Sequence, residues 1–536
     1  MSGHRATIQA GYTMIHHANL ERAADWLGCG LSHASSELRK NLSMTTITNR
    51  NMMGHRQILI RSLREEPRPD WDARFTEIAG LERELAPFFT TESASKDALE
   101  DDAVAQFSFQ HELLRPINHI PFAVAIIAFF KVWAVPVMTV LTPILAWILP
   151  YILLKFVYAL PIQQDQYREI LQSLWTGNLS LSPTEQIRSL WSGRSIAQMA
   201  IFAFSFIQSL VQPIQNAIHL YKMDRIFYGL GEKLIRLRNL VRSFRQDLGP
   251  LNGPHVKISF SLEGMGESDS RAAFMLVKEQ PERLHIVLRD LARLEVMWRI
   301  SKANELQPVE FTPEQFTLKG VLDISLERGV GVASTIDLSG AGATHAVLTG
   351  PNGGGKSSFL RGTLQSVILG HTYGFAPAKE ARMPFFSWIA SGLQLRDTPG
   401  SLSMFETEVK FAAECLKRRD MYEPGLVLFD ELFHSTNPPD GIRTAERFLD
   451  GLWKRRDVYS IVSTHVFSLV ESAPKNVLPI CCSATRTEKG EIEFQYEVVP
   501  GICRVSSVDK VWARFGLGES AVPEEGAAGA FVRETA

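Results

Sequence analysis

The chain has 536 residues, 45% hydrophobic and 21% charged, with a formal net charge of −2. These figures exclude a fibrous or disordered protein and leave room for two or three domains with their own cores. They also exclude a whole-chain basic field of the kind that gathers nucleic acid nonspecifically.

Five cysteines, Cys29, Cys415, Cys481, Cys482 and Cys503, lack metal-ligand spacing and read as reduced core residues. The adjacent pair Cys481 and Cys482 falls in an expected strand, where neighbouring side chains point to opposite faces. The first thirty residues hold no apolar run ending in a small-residue cleavage site, so no secretory leader is expected.

Residues 1–119 are polar and broken by Pro67, Pro69 and Pro87, with helical apolar spacing at Leu59, Ile60 and Leu63 and again at Phe75, Ile78, Leu81 and Leu85. A helical N-terminal region is expected there. Residues 120–162 carry only Lys131 and Lys155 as charges. Two apolar legs, 120–137 and 140–160, with a turn near Pro136 to Pro143, would each just reach the ~20 residues that a membrane-spanning helix needs. A transmembrane helical hairpin is the reading adopted, and a hairpin buried in a helical domain is the alternative. The segment Ala197 to Val211 is interrupted by Gln198 and Gln208 and is expected to be an amphipathic or core helix.

Residues 163–310 are expected to form a helical lever-like domain, in which residues 215–310 return to charged helical periodicity, as in "DRIFYGLGEKLIRLRNLVRSFRQDL", with "SLEGMGESDS" as a loop. From 311 to 518 short apolar runs alternate with helices: "HAVLT", "GLVLF" and "VYSIVS" are expected strands of an α/β domain bearing its chemistry at strand ends. Residues 519–536 are Gly-, Ala- and Glu-rich and are expected to be a disordered tail.

After "HAVLT" comes Gly350, Pro351, Asn352, Gly353, Gly354, Gly355, Lys356, Ser357 and Ser358, which fits the phosphate-binding pattern G-x-x-x-x-G-K-[ST] between a strand and a helix starting near Ser357. Glycines let backbone N–H groups approach phosphate oxygens, and the helix N-terminus adds its positive end. Lys356 is expected at the β- and γ-phosphates and Ser357 at Mg²⁺. "GLVLF" ends in Asp430 and Glu431, a pair that can divide metal holding from polarising the attacking water. His465 follows the next strand and can contact the γ-phosphate or the water.

The segments "TGPNGGGKSSFLRG", "GSLSMFETEV", "LFDELFHSTNPPDG" and "STHVFSL" resemble, in order and spacing, the P-loop, signature-like, Walker B with D-loop, and histidine segments of the MutS family ATPase domain. "YGFAPAKEARM" and "LARLEVMWRISKANELQP" extend the resemblance to roughly residues 230–500. The resemblance implies an α/β P-loop NTPase using ATP and Mg²⁺, paired as a homodimer with composite sites. Ser403 would then approach the partner's γ-phosphate, and Thr436 and Asn437 of the D-loop would signal between sites.

Gly353 stands where the family commonly has methionine, and Phe433, His434 and Ser435 replace its usual Gly-Arg-Gly. Phe75-Thr76-Glu77 has the letters of the family's mismatch reader, but Phe75 shares an apolar stripe with Ile78 and Leu81 and reads as core. Three functions follow as alternatives. The first is a membrane-anchored ATPase moving helical levers, its ATPase domain facing the cytoplasm. The second is a DNA-binding homologue of mismatch-repair or recombination type acting on DNA structures, either tethered to a membrane or soluble and intracellular, and the third an ATP-gated scaffold with little turnover.

Overall fold

The computed structural model describes residues 14–43, 50–66, 68–89, 106–109, 111–120, 122–159, 161–169, 193–251, 262, 269–339, 342–395, 402–420, 423–487 and 492–506. The expected tail at 519–536 and most of the glycine-rich loop lie outside these residues. The chain divides into two compact units. One holds residues 1–79, 247–258 and 288–536, the other residues 80–246 and 259–287.

The first unit is built on two sheets. Its strands, in chain order, are β1 (Gln307–Phe311), β2 (Thr317–Val321), β3 (Ser334–Asp337), β4 (His345–Thr349), β5 (Phe375–Ala376), β6 (Glu380–Met383), β7 (Trp388–Gly392), β8 (Gly425–Phe429), β9 (Val458–Ser463), β10 (Val477–Arg486) and β11 (Ile492–Pro500). The larger sheet runs β11-β10-β4-β9-β8-β7, and the smaller runs β3-β2-β6-β1-β5. In the larger sheet β10, β4, β9, β8 and β7 are parallel neighbours, and only β11 is antiparallel.

"HAVLT", "GLVLF" and "VYSIVS" are β4, β8 and β9, and every residue in them is buried. Continuous apolar runs of this kind are what a parallel strand covered on both faces requires. Cys481 and Cys482 lie in β10, both buried.

The sequence-based boundary at residue 119 is corrected by the fold. Residues up to Ala79 belong to the same unit as the sheets. The physical reason is hydrogen bonding that spacing does not reveal. Arg64 donates to the carbonyls of Ile300, Ala303 and Leu306, and Gln57 donates to those of Val309 and Gly374. Phe75 is fully buried, edge-on to Trp71 at 6.2 Å, as expected of core.

In the second unit an aromatic core joins Phe107, Phe227 and Phe274, with Phe227 and Phe274 stacked at 4.5 Å. Arg271 holds Asp224 through two bonds of 2.7 and 2.8 Å. Asp269 caps the helix Ser270–Glu279 by accepting from Arg271 N and Ala272 N.

The expected hairpin within 120–162 is not there. Residues 123–157 form one continuous helical run: α-helix Ala123–Phe129, π-helix Phe130–Ala134, α-helix Val135–Ile152 and π-helix Leu153–Val157. Pro136 sits in the first turn of its α-helix, where its missing N–H is tolerated, and the π-helical stretch before it carries the hydrogen-bond ladder past it. Pro143 and Pro150 lie inside the helix without ending it. Ala123–Leu145 is long and apolar enough to cross a membrane by length and composition.

Candidate functional site

The order of the larger sheet places β9 between β4 and β8. The three segments that leave their carboxyl ends are therefore neighbours in space, although more than a hundred residues separate the first from the last. In open α/β sheets this is the edge where ligands bind.

The loop after β4 turns through a bond from Gly354 N to Pro351 O and leads into the helix Lys356–Tyr373. Gly355, at the helix N-cap, has φ 100°, a backbone conformation closed to ordinary side chains, so glycine is required there. Lys356 is 4% exposed, and its Nζ donates to Gly350 O at 3.0 Å, Pro351 O at 3.2 Å and Asn352 Oδ1 at 3.3 Å. Burial lowers the Lys356 pKa from its ordinary value, and the carboxylates of Glu431 and Asp430 oppose that shift. The ammonium thus stands over the loop's concave side, against two acids, where phosphate oxygens would lie.

Asp430 connects the three strand ends. Its Oδ2 accepts from Ser357 Oγ at 2.5 Å, and its Oδ1 accepts from Ser463 Oγ at 2.5 Å. Ser463 Oγ in turn accepts from Glu431 N at 2.8 Å. Glu431 has φ 52°, strained for a residue with a side chain, and this bond helps to hold it there. Its Oε1 meets His465 Nε2 at 3.1 Å. That hydrogen bond is the main reason why the Glu431 carboxyl lies below the usual carboxylate range, with burial acting against it.

A cleft of about 590 Å³ opens beside the loop, lined by Asn352, Gly353, Gly355, Lys356, Ser357 and Ser358 on one side. Leu326, Val330, Val332 and Tyr496 complete an apolar wall, with Glu431 also in the lining. Val330 is 63% exposed and Tyr496 46%, so apolar surface faces the cleft mouth. The Ser357 hydroxyl and Asp430 carboxylate converge on one point, and such hard oxygen donors suit Mg²⁺.

Two groups of expected residues are therefore brought together: the loop from Gly350 to Ser358, and the set Asp430, Glu431 and His465. Ser403, Thr436 and Asn437 do not line this cleft. Ser403 caps the helix Met404–Lys417 in a capping box with Glu406. Asn437 caps the helix Pro438–Trp453, its Oδ1 accepting from Asp440 N at 3.1 Å. Both are exposed.

Sequence reasoning missed Ser463 and Tyr496. Ser463 opens the "STHVFSL" segment, but only the strand order shows that it reaches both Asp430 and Glu431. Tyr496 comes from the antiparallel edge strand β11 and has no motif around it.

Parallel strands, a glycine loop opening a helix, and paired acids on the neighbouring strand end define a P-loop nucleotide-binding domain. Residues 346–526 match the family model of MutS domain V. Of the relatives, DNA mismatch repair protein MutS of Thermus aquaticus is 34% identical over 177 residues, 33% of this chain and 21% of that protein. DNA mismatch repair protein MutS of Leuconostoc mesenteroides is 29% identical over 238 residues, 42% of this chain and 27% of that protein. The mitochondrial DNA mismatch repair protein MSH1 of Arabidopsis thaliana is 31% identical over 201 residues, 37% of this chain and 17% of that protein. Over this domain the chain is similar to MutS domain V, while it spans only about a fifth to a quarter of the length of these relatives.

Proposed function

We propose that the protein is an ATP hydrolase that works as a homodimer, moves its helical unit through the ATP cycle, and is anchored to a membrane with its ATPase domain facing the cytoplasm. The observation that carries the catalytic part is the linked set Ser357, Asp430, Ser463, Glu431 and His465 across three strand ends. Lys356 and the loop N–H groups bind the β- and γ-phosphates, and Ser357 with Asp430 holds Mg²⁺. When bound, Mg²⁺ neutralises phosphate charge. Glu431, ionised and oriented by His465, polarises the attacking water. Ser463 is a positioning residue that holds Asp430 and the strained Glu431 backbone in register.

Ser403, Thr436 and Asn437 serve the partner subunit's site. Their support is the family resemblance together with the exposed helix N-termini on which Ser403 and Asn437 sit, which favour anionic groups. The apolar helical run 123–157 supports the membrane anchor, since only 17% of its most apolar window is buried.

Glu431→Gln tests this reading. ATP hydrolysis should fall by roughly 100-fold or more while ATP affinity is kept and dimers accumulate in sizing experiments with ATP. Turnover equal to that of the unaltered protein would overturn the catalytic reading in favour of a nucleotide-gated scaffold.

The relatives' names as DNA mismatch repair proteins favour a second reading, in which the dimer acts on DNA. Binding to a DNA duplex would then be ATP-dependent and weaken steeply with salt. ATP-dependent DNA binding by protein recovered wholly in the soluble fraction would decide for it.

A further inference from the structure

The second unit presents apolar surface on two helices. On the run 123–157, Phe129, Val137, Leu145 and Phe156 are exposed, and on the long helix Gly193–Leu248, Phe204, Ile207, Val211, Ile214 and Ile218 are exposed. The second set recurs at intervals of three and four, so it forms one continuous stripe. Such a stripe on a water-facing helix demands a partner.

Charge is distributed along both helices in the same way. No Asp, Glu, Lys or Arg occurs between Lys131 and Lys155, and none between Arg194 and Lys222. At 1.5 Å per residue these charge-free stretches are roughly 35 Å and roughly 40 Å long, against ~30 Å for the hydrocarbon core of a bilayer.

The two helices meet and run antiparallel. The rings of Trp133 and Tyr221 lie 6.3 Å apart. Val132 and Leu141 share an apolar groove with Ile214, Ile218 and Lys222. On the other side, Lys131 and Thr139 share a polar cleft with Gln212, Gln215, Asn216 and His219.

We propose that the membrane-crossing hairpin of this protein consists of residues 131–155 and 194–222, so that its second leg is the first half of the long helix rather than residues 140–160. This rests on the membrane reading above and names its topology. Lys131 and Lys222 mark one membrane face and Lys155 and Arg194 the other, so no cation is left at mid-depth, where one costs about 3 kcal/mol. Trp133 and Tyr221 lie at one interface and Tyr151 and Tyr158 near the other, the depths such rings prefer. Gln212, Gln215, Asn216 and Thr139 line the cleft between the helices. Gln163–Glu169 then lies on the opposite side of the membrane from Arg225 and the helix beyond it.

The test uses the full chain in membranes of an expression host. The unaltered protein should resist alkaline carbonate extraction, whereas Ile207→Lys, a substitution at an exposed site, should shift partition toward the extract by about 100-fold with ATP hydrolysis retained. Gln164→Cys and Arg225→Cys, both at exposed positions, should react with a membrane-impermeant maleimide from opposite faces of sealed membranes, after subtraction of labelling in the unsubstituted chain. Extraction of the unaltered protein would overturn the membrane reading altogether. Resistance by both the unaltered protein and Ile207→Lys, or labelling of both cysteines from one face, would overturn this hairpin while leaving a membrane anchor in place.

Discussion

The two units use apolar residues in opposite ways. In the first, "GLVLF" of β8 is buried at every position, and Val427 and Leu428 have no exposed surface. In the second, apolar runs of greater length stand open, with Trp133 58% and Phe204 66% exposed. A sheet covered on both faces supplies its own solvent for apolar side chains, whereas two long helices side by side shield only the seam between them. The first unit is therefore closed over its core and offers chemistry at its strand ends, while the second leaves apolar side chains exposed along both helices.

Substitutions that place a charge in each region sharpen this contrast most. Val427→Asp buries a carboxylate in β8 and should cost on the order of 5 kcal/mol, seen as loss of cooperative unfolding and of ATP binding. Ile207→Lys in detergent should change thermal stability by less than about 0.5 kcal/mol, because its site is open. Equal destabilisation by both would break the comparison.

The first unit's core also reaches the segment between Glu431 and the helix Pro438–Trp453. Phe433, which stands where the family commonly has a smaller residue, is 2% exposed and packs against Phe405, Phe429 and Phe448. Its neighbour Ser435 donates to the buried Glu408 at 2.6 Å, and His434 pairs with the same carboxylate at 3.2 Å. The Phe-His-Ser run thus ties the segment after Glu431 to the helix capped by Ser403. Phe433→Ala should cost about 4 kcal/mol in chemical denaturation and weaken ATP-dependent dimerisation. Unchanged dimerisation would detach this cluster from signalling.

Acid should weaken the first unit next. His345 is held between Ser460 Oγ and Arg455 O, and His371 between Val367 O and Phe386 N. Burial brings both down to about 4 from 6.5. The unfolded chain therefore takes up protons that the folded chain refuses. Stability is complete above pH 6.5 and falls as pH drops toward 4, by about 3 kcal/mol for each histidine. Denaturant midpoints at several pH values would show this slope, and a flat profile in that window would contradict it.

The smallest effect belongs to Gly353. It adopts φ 77°, so the methionine that the family commonly carries would be strained here by about 1 kcal/mol. Gly353→Met should lower thermal stability slightly while keeping ATP binding.

Much of the first unit could be read from its letters. Continuous apolar runs determined β4, β8 and β9, and the glycine pattern with Lys356 and Ser357 determined the loop, because local backbone sterics and strand burial act over a few residues. Asp430, Glu431 and His465 were legible as strand-end groups for the same reason. Only the tertiary structure decided that β9 lies between β4 and β8 and makes Ser463 their link, that Tyr496 walls the cleft, and that residues up to Ala79 close around the sheets. It also decided that Pro136 and Pro143 leave the apolar run 123–157 unbroken. These outcomes depend on pairings between residues far apart in the chain, where strand order and the neighbours of each hydrogen-bonding group, rather than local propensity, determine which arrangement has the lowest free energy.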